Sequence, residues 1–508
     1  MSPLAGLPFT RAEQDPTGSC LRDGERALDN ATFADAVRRL ARRFADLGVA
    51  PGDPVAVMLP NCAEIVTAQF AAWYRGSALV PVNPVLTDDE ARYQLEDSAA
   101  AVVVGDERAR GLAAELGVAW VDAATVHAGT GTGDPEPDAE PFAEPFAEPD
   151  AGPVAVADDF ALVIYTSGTT GRPKGVLLDH ANLDAMSASL VEHFALSPAD
   201  TSLLVLPLFH ANGLIASVLS PLRAGGDVVV APRFSPDTFW DLVETHRPTY
   251  FSAVPTIYAV LDARTSWTHD TSSLRFAVCG AAPMPAELIT RFEERFGIPI
   301  VEGYGLSEGS VASTINPVDG VRKPGTVGVA LPGQEVAVVT ADGDRLPAGE
   351  RGEVVIRGAN VMRGYLGRPE ETARTVRDGW LHTGDVGIID DDGYLRIVDR
   401  IKDMIIRGGE NIYPKEIEEC LYGHPAVLEA AVVGRPDPVL GEVPVAYVAT
   451  RPGRTASAEE LVAHCAASLA RYKVPERVEV LAELPKNSVG KLVKGRLREL
   501  DLPHCGHG

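Results

Sequence analysis

The chain has 508 residues, of which 45% are hydrophobic and 23% are charged, so it is long enough for about two to four structural units with apolar cores. Its formal net charge of -26 opposes nonspecific binding to nucleic acid or to anionic membranes. A polyanionic ligand would therefore need a local cluster of cations and backbone amides. No apolar stretch reaches the roughly eighteen residues that would suggest a membrane span.

The N-terminus and the cysteines indicate a compartment. Residues 1–10 lack the charged-then-apolar pattern of a secretory signal. The cysteines are scattered without C-x-x-C spacing, which argues against a zinc site and against a disulfide framework. We therefore expect a cytoplasmic protein with reduced thiols, and a homodimer is compatible with the sequence.

Helix-like and strand-like patterns alternate through the first 121 residues. Apolar periodicity predicts helices at residues 32–47 and 63–75, and short apolar runs predict strands at residues 54–59, 78–82, 101–104 and 119–121. This βα succession favours mostly parallel sheets with helices on both faces. Residues 129–153 are then acidic and rich in proline, which predicts a disordered surface loop; an acidic docking peptide is the alternative.

The alternation resumes after Asp159 and changes character twice. Further strands are predicted at residues 161–165, 202–206, 227–231, 250–253, 276–279 and 300–302. Residues 327–398 contain short alternating runs with Asp-Gly turns, as expected of an antiparallel, barrel-like subdomain. We therefore predict an α/β fold with a large N-terminal domain at residues 1–400 and a small α+β domain at residues 401–508.

The segment at residues 165–175, Tyr-Thr-Ser-Gly-Thr-Thr-Gly-Arg-Pro-Lys-Gly, lies between two apolar runs. Its glycines let backbone amides turn inward, its hydroxyls add donors and Lys174 adds charge, a combination that suits a polyphosphate. It is not a Walker loop, because Gly171 and Lys174 are not adjacent and the next run is strand-like. Lysine is scarce relative to arginine in this chain, which favours a specific task for Lys174. An ordinary hairpin turn is the alternative.

With the motifs that follow it, this segment resembles the superfamily of adenylate-forming enzymes, which includes acyl-CoA synthetases, aryl-CoA ligases, firefly luciferase and the adenylation domains of nonribosomal peptide synthetases. The resemblance covers nearly the whole chain. Its motifs are Gly280-Ala-Ala-Pro283, Gly303-Tyr-Gly-Leu-Ser-Glu308, Thr383-Gly-Asp385, Gly408-Gly-Glu-Asn-Ile-Tyr-Pro414 and Pro485-Lys-Asn-Ser-Val-Gly-Lys491. The resemblance implies the use of ATP, Mg²⁺ and coenzyme A, and a mobile C-terminal domain that serves two half-reactions.

The resemblance also implies roles for single residues. The phosphate-binding residues would be Thr166, Ser167, Gly168, Thr169, Thr170, Gly171 and Lys174. The adenine-binding residues would be Gly280, Ala281, Ala282, Pro283, Gly303, Tyr304, Gly305 and Ser307. The ribose would contact Asp385 and Arg400, the hinge would lie at Lys402, and coenzyme A would pass Gly408 and Gly409. Glu308 with Thr169 would hold Mg²⁺, and Lys491 would promote adenylation, with Glu308 and His210 completing the catalytic set.

By the same resemblance, the acyl pocket would be lined by His210, which gates it, and by Ala211, Gly213, Thr256, Gly280 and Gly305. Members that activate amino acids generally place an aspartate just after the aromatic residue of this motif. Phe209-His-Ala-Asn-Gly213 has no acid there, so an α-amino acid is a poor candidate. The lining residues are small and no arginine is evident among them, which favours a hydrophobic or bulky monocarboxylic acid.

We therefore predict an AMP-forming acid:CoA ligase. It would convert a carboxylic acid and MgATP to an acyl-adenylate and then to the acyl-CoA thioester. Two alternatives remain at this point: an acyl-adenylate ligase that loads a carrier protein, and a noncatalytic nucleotide-binding paralogue.

Overall fold

In the computed structural model the described residues form four β-sheets with associated helices. The structure describes residues 3–127, 159–166, 172–263, 269–282, 284–408, 410–486 and 492–500. The acidic loop predicted at residues 129–153 lies outside these ranges. Among the residues inside them, no helix is long and apolar enough to cross a membrane.

The strands are short and are distributed over the whole described chain. They are β1 Ser19–Asp23, β2 Arg26–Asp29, β3 Val55–Met58, β4 Leu79–Pro81, β5 Val102–Gly105, β6 Ala119–Asp122, β7 Phe160–Thr166, β8 Lys174–Asp179, β9 Thr201–Leu204, β10 Asp227–Val230, β11 Tyr250–Ala253, β12 Phe276–Cys279, β13 Ile300–Tyr304, β14 Thr314–Ile315, β15 Val329–Ala330, β16 Gln334–Val339, β17 Arg351–Gly358, β18 Gly364–Tyr365, β19 Val376–Arg377, β20 Trp380–Ile389, β21 Leu395–Arg400, β22 Ile405–Arg407, β23 Glu410–Ile412, β24 Val427–Asp437, β25 Gly441–Thr450 and β26 Arg477–Leu481.

Helices separate most of these strands in the first three hundred residues. They are α1 Leu7–Gln14, α2 Asn30–Asp46, α3 Ala63–Tyr74, α4 Asp88–Asp97, α5 Glu107–Leu116, α6 His180–His193, α7 Ser220–Arg223, α8 Phe239–His246, α9 Pro255–Ala263, α10 Ala286–Phe296, α11 Pro369–Thr375, α12 Pro414–Tyr422, α13 Ala458–Ser468 and α14 Lys494–Arg498. A π-helix spans Asn212–Leu219, and short 3-10 turns include Ser307–Gly309 and Ile401–Asp403.

Two mostly parallel sheets form the large part of the molecule. The first has the order β15-β14-β13-β12-β11-β9-β10-β1-β2 and is parallel from β13 to β1. The second has the order β18-β8-β7-β4-β3-β5-β6 and is parallel from β7 to β6. The antiparallel strands lie at the sheet edges, where the hairpin β7–β8 extends the second sheet.

Three apolar cores show that these sheets and their helices form layers. The largest core combines both sheets with helices α2, α3 and α6, so these helices lie between the sheets. A second core packs α8, α9 and α10 on the outer face of the first sheet. The third packs α4 and α5 on the outer face of the second sheet. The strands are buried on both faces, which explains their nearly continuous apolar runs. The predicted α/β class with parallel sheets is confirmed.

The last third of the chain is different in architecture. Strands β16, β17, β19, β20 and β21 form an antiparallel sheet. The fourth sheet has the order β23-β22-β25-β24 with β26 parallel to β25, and α12 and α13 cover one face of it. The Asp-Gly turns are real: Gly343, Gly379 and Gly393 all have φ near +80° to +90°, a region that glycine enters without strain.

Candidate active site

The phosphate-loop segment is the connection of an antiparallel hairpin. Thr166 at the end of β7 pairs with Lys174 at the start of β8. Helix α4 holds the base of this hairpin, because the Tyr93 hydroxyl donates to the Pro173 carbonyl oxygen at 2.9 Å and the Tyr165 hydroxyl donates to Asp97 at 2.8 Å. The two interpretations of this segment, a hairpin turn and a phosphate-binding loop, are therefore compatible. Residues 167–171 lie outside the described ranges.

Glu308 and Lys174 both lie close to one tyrosine, Tyr365. The Tyr365 hydroxyl donates to Glu308 Oε1 at 2.8 Å, and Lys174 Nζ lies 5.3 Å from the centre of the Tyr365 ring. Burial and the neighbouring Glu308 carboxylate raise the pKa of Tyr365, so the hydroxyl stays protonated and remains a donor. The Glu308 carbonyl oxygen accepts the Met362 N–H at 2.8 Å, which fixes the turn that carries the carboxylate.

Tyr304, Asp385 and Arg400 form a second polar cluster. The Tyr304 hydroxyl donates to Asp385 Oδ2 at 2.6 Å, and Arg400 Nε lies 2.9 Å from Asp385 Oδ1. Asp385 and Arg400 are direct cross-strand partners on β20 and β21, so the sheet register brings them together. Burial and Asp385 raise the pKa of Tyr304 well above its usual value. Tyr304 ends β13, which places this cluster at the carboxyl edge of the first sheet, where open α/β sheets hold ligands.

The glycines at the same edge of the sheet differ in how much space a side chain would have. A Cβ on Gly305 would lie 2.3 Å from the Val311 carbonyl oxygen and 2.5 Å from Ala312 Cα, so backbone passes directly against it. A Cβ on Gly280 would have only the Gly303 carbonyl oxygen, at 3.7 Å. Gly280 therefore faces space between the ends of β12 and β13. Ala281 follows with a φ of 67°, which marks a tight turn there.

His210 precedes the π-helix, a helix type found most often at functional sites. Its Nε2 and the Oδ1 of Asn212 are buried without a hydrogen-bond partner among the described residues. Burial lowers the pKa of His210 to about 4, so the imidazole is neutral at physiological pH. A Cβ on Gly213 would lie 2.6 Å from the Pro207 carbonyl oxygen, which explains glycine at this turn. Ala211 and Ala216 are buried beside it.

Lys402 and Gly408 lie near the junction with the fourth sheet. Lys402 is in the 3-10 turn that follows Arg400, and partial burial together with the Arg400 and Arg498 charges lowers its pKa. Arg498 is held by Asp403 of the same turn, at 2.6 Å. Gly408 has a φ of 60° and donates its N–H to the Leu440 carbonyl oxygen at 2.7 Å, so it belongs to a turn within the fourth sheet.

The structure thus unites some of the predicted residues and leaves others untested. It joins Tyr304 to Asp385 and Arg400, and it joins Lys174 to Glu308 through Tyr365. Ser307 begins the turn that carries Glu308, whereas Thr256 is exposed at the start of α9. The predicted residues that lie outside the described ranges are Ser167, Gly168, Thr169, Thr170, Gly171, Pro283, Gly409 and Lys491.

The sequence analysis missed Tyr365, Glu371 and Glu302. Tyr365 is distant in sequence from both residues it contacts, so periodicity and spacing carry no signal for it. Glu371 forms an ion pair with Lys174 across a similar separation. Glu302 had a signal, since it is an acidic residue within the apolar strand β13, and it is only 5% exposed.

Comparison with known proteins identifies the family. A model described as AMP-binding enzyme matches residues 9–366, and one described as AMP-binding enzyme C-terminal domain matches residues 416–491. The chain belongs to the family of AMP-binding enzymes. A feruloyl-CoA synthase from Amycolatopsis is 40% identical over 97% of this chain and 98% of its own.

Solved structures agree with this assignment. The crystal structure of ATP-bound MatB from Rhodopseudomonas palustris is 33% identical, with a TM-score of 0.88, and the match covers 97% of this chain and 98% of that one. The o-succinylbenzoate CoA synthetase MenE from Bacillus subtilis, in complex with its acyl-adenylate intermediate, is 31% identical with a TM-score of 0.86 over 98% and 99% of the two chains. The AMP-binding enzyme described here is an AMP-forming acid:CoA ligase that uses ATP, Mg²⁺ and coenzyme A.

The described residues of this AMP-binding enzyme fit a magnesium-bound polyphosphate. Glu308 offers a hard carboxylate oxygen, the ligand that Mg²⁺ combines with phosphate oxygens and water. Lys174 adds an ammonium close to the ring of the same Tyr365. When bound, the metal would neutralise charge that develops on the phosphates during adenylation.

Proposed function

We propose that MgATP binds across both polar clusters of this ligase, with its phosphates at one and its adenosine at the other. Lys174 and the loop that begins at Thr166 bind the β- and γ-phosphates, and Glu308 binds the metal. Tyr304 stacks on adenine beside Gly280–Ala282 and Gly303, while Asp385 and Arg400 bind the ribose. The proposal is supported by the two hydrogen-bonded groups around Tyr365 and Asp385, since a carboxylate has the lone pairs that ribose hydroxyls need.

The proposed chemistry has two half-reactions at one site. A carboxylate oxygen of the acid attacks the α-phosphorus of ATP, and the bond to the β-phosphate breaks with release of pyrophosphate. Lys491 stabilises the negative charge gathered between the two anions. The coenzyme A thiol then attacks the acyl carbon, and AMP leaves. Residues 401–508 rotate at Lys402 between the steps, so that Gly408 and Gly409 replace Lys491 beside the site.

We propose that the acid has an uncharged, hydrophobic tail. One observation carries this: segments 209–219, 250–256 and 276–282, which contain all the predicted pocket residues except Gly305, have no Asp, Glu, Lys or Arg. The one histidine of these segments, His210, is neutral because burial lowers its pKa to about 4. A second anionic group on the substrate would lose its hydration without gaining a counter-charge. The open space at Gly280 leaves room for a bulky or aromatic group.

An exchange assay tests this substrate class. ATP/pyrophosphate exchange, followed by acyl-CoA formation, is measured with hydroxycinnamates, medium-chain and long-chain fatty acids, and bulky polycyclic propanoates. Short dicarboxylates and sulfonated acids of similar size provide the comparison. We expect kcat/KM for at least one hydrophobic monocarboxylate to exceed that of every dianionic acid by about a hundredfold or more, the cost of burying an unpaired charge. Preference for a dianionic acid would contradict the proposal.

The cellular location and the partners of this enzyme form a separate proposal. We propose a cytoplasmic location, as the reaction draws on ATP and coenzyme A together. The negative charge of -26 supports the proposal that nucleic acid is not a partner.

A further inference from the structure

The phosphate-loop lysine already has an anionic partner in this structure. Lys174 Nζ forms an ion pair with Glu371 of α11, and the other oxygen of Glu371 lies 3.7 Å from Arg368 Nη1. The Lys174 and Glu371 side chains are 19% and 32% exposed. The ion pair with Lys174 lowers the pKa of Glu371, so the carboxylate is charged at neutral pH. A carboxylate thus lies where the proposed function needs a phosphate oxygen.

The backbone around Glu371 holds it in this place. Strand β18 pairs with β8, with Tyr365 opposite Val176, two residues after Lys174. The Tyr365 N–H donates to Thr372 Oγ1 at 2.9 Å, and Thr372 Oγ1 donates to the Arg368 carbonyl oxygen at 2.9 Å. A Cβ on Gly364 would lie 2.8 Å from Thr372 Cγ2, so α11 packs directly on β18. Glu371 and Tyr365 are therefore presented to Lys174 from one rigid corner.

We infer that Glu371 is a positioning residue that holds Lys174 in the nucleotide-free enzyme and releases it to the polyphosphate of ATP. This inference rests on the proposed role of Lys174 in binding phosphates. Glu308 is the other carboxylate at this corner, since it accepts the hydrogen bond of the Tyr365 hydroxyl. Pairing with Glu371 gives the ammonium a partner of its own and leaves Glu308 for the metal. ATP must then displace the carboxylate, so the ion pair opposes nucleotide binding.

Glu371→Gln tests the inference through binding rather than turnover. The change keeps the side-chain shape and removes the charge. We expect MgATP to bind the variant about fivefold more tightly in calorimetric titration, because a partly exposed ion pair of this kind contributes up to about 1 kcal/mol. AMP lacks the β- and γ-phosphates, so its affinity should not change. Unchanged or weaker MgATP binding, or equal tightening for AMP, would overturn the inference.

Glu370→Gln is the matched control. Glu370 is the adjacent residue of α11, is 87% exposed, and lies 3.5 Å from Arg374 on the outer side of the helix. The control variant undergoes the same loss of charge at the neighbouring position of the same helix. Its affinity for MgATP should match that of the wild type. A gain equal to that of Glu371→Gln would mean that net charge alone is responsible, which also overturns the inference.

Lys174→Ala separates this inference from the function on which it rests. If Lys174 binds phosphates, this variant loses affinity for MgATP and keeps its affinity for AMP. Retained MgATP affinity would refute the role of Lys174 itself. Loss of affinity in Lys174→Ala together with no effect of Glu371→Gln would refute only the role of Glu371. Melting temperatures of all variants without nucleotide report whether each one is folded.

Discussion

Asp385 and Glu302 are both buried carboxylates at the edge of the nucleotide site, but their surroundings differ. Asp385 accepts a hydrogen bond from Tyr304 and pairs with Arg400. Glu302 Oε1 accepts the Met284 N–H at 3.1 Å, while Oε2 is buried without a hydrogen-bond partner in the described chain. Burial raises the pKa of Glu302 to about 7; the charge of Lys415 on α12 opposes this shift, and Glu419 adds to it. Cys279 is its neighbour on β12.

Glu302→Gln should therefore stabilise the protein in a pH-dependent way. Between about pH 4.5 and 7 the unfolded chain releases the proton while the folded chain retains it, so the wild type loses stability as pH rises through this range. The variant has no ionisable group at this position and therefore does not lose stability in this way. We expect the difference in unfolding free energy to grow from near zero at pH 4.5 to roughly 3 kcal/mol above pH 7.

Denaturant unfolding of both proteins at several pH values measures this difference. Glu294→Gln, an exposed residue of α10, serves as the control and should show no such trend. Asp399, whose pKa burial raises to about 6, is present in all three proteins and cancels in the comparison. A difference that stays flat across pH 5–8 would show that Glu302 is ionised in the folded state.

Gly305→Ala should disrupt the site through sterics alone. The new Cβ would overlap the Val311 carbonyl oxygen and Ala312 Cα, and backbone atoms cannot rotate away as a side chain can. We expect a loss of about 1–3 kcal/mol in stability and a lower melting temperature. Gly280→Ala is the matched change, and it should leave the melting temperature unchanged while narrowing the proposed acyl pocket. Equal melting temperatures for both variants would contradict this packing argument.

At the scale of elements, helix α6 connects the phosphate hairpin to the segment before Tyr365. Asp179 ends β8 and caps α6 by accepting the Asn182 N–H at 2.7 Å. The side-chain oxygen of the buried Asn182 accepts the Asp179 N–H. Its side-chain nitrogen donates to the Ala359 and Val361 carbonyl oxygens at 2.7 and 2.9 Å. The Asn182 side chain therefore fixes the backbone on both sides of Asn360, in the segment that leads to Tyr365.

Asn182→Ala should consequently cost about 2–3 kcal/mol, because it removes the side-chain half of the capping box and leaves the Ala359 and Val361 carbonyl oxygens without these donors. Weaker MgATP binding should accompany the loss, since Tyr365 would be less well placed. Asp184→Ala is a control on the same helix. It breaks only the half-exposed ion pair with Arg223 and should cost less than about 1 kcal/mol. Unfolding midpoints and calorimetric titration measure both effects, and equal costs would refute the connection.

At the scale of the whole molecule, the region of the fourth sheet and helix α12 contacts the third sheet through both polar and apolar side chains. Arg351 of β17 lies 4.5 Å from the ring centre of Tyr413 and 3.8 Å from Glu416, and the Lys415 N–H donates to Asp399 at 2.8 Å. Tyr413 also packs with Val386 and Val398. A partly polar contact of this type is compatible with the proposed rotation at Lys402.

Lys491→Ala tests that rotation. If Lys491 faces the site only during adenylation, the variant should lose about a hundredfold or more in acyl-adenylate formation, and should still make thioester from supplied acyl-adenylate at nearly the wild-type rate. Lys486→Ala is the control from the same segment, as Lys486 pairs with Glu429 at 2.6 Å within the fourth sheet. The two half-reactions are measured separately, by pyrophosphate exchange and by thioester formation. Equal losses in both would exclude a two-position mechanism.

The sequence by itself determined the class of fold and the class of reaction. Runs of apolar residues that repeat with the period of a strand or a helix are local properties of the sequence. For this reason α2, α3 and the parallel strands were predicted close to their positions. The phosphate loop was predicted from its composition, whereas the roles of Glu308 and Asp385 were predicted from the resemblance of their motifs to a known family, and these roles stay predictions. The order of the motifs along the chain added to that resemblance.

Only the tertiary structure decided which of these residues act on one another. The contacts of Tyr365 with Glu308 and Lys174, and of Glu371 with Lys174, join positions that are far apart in the chain. They arise because β18 returns to pair with β8, and nothing in the local sequence specifies that pairing. The shifted pKa values of His210 and Glu302 have the same origin, since they depend on burial by distant segments. Motifs therefore predicted candidate residues of the site, and long-range packing set the charge states and partners of the described ones.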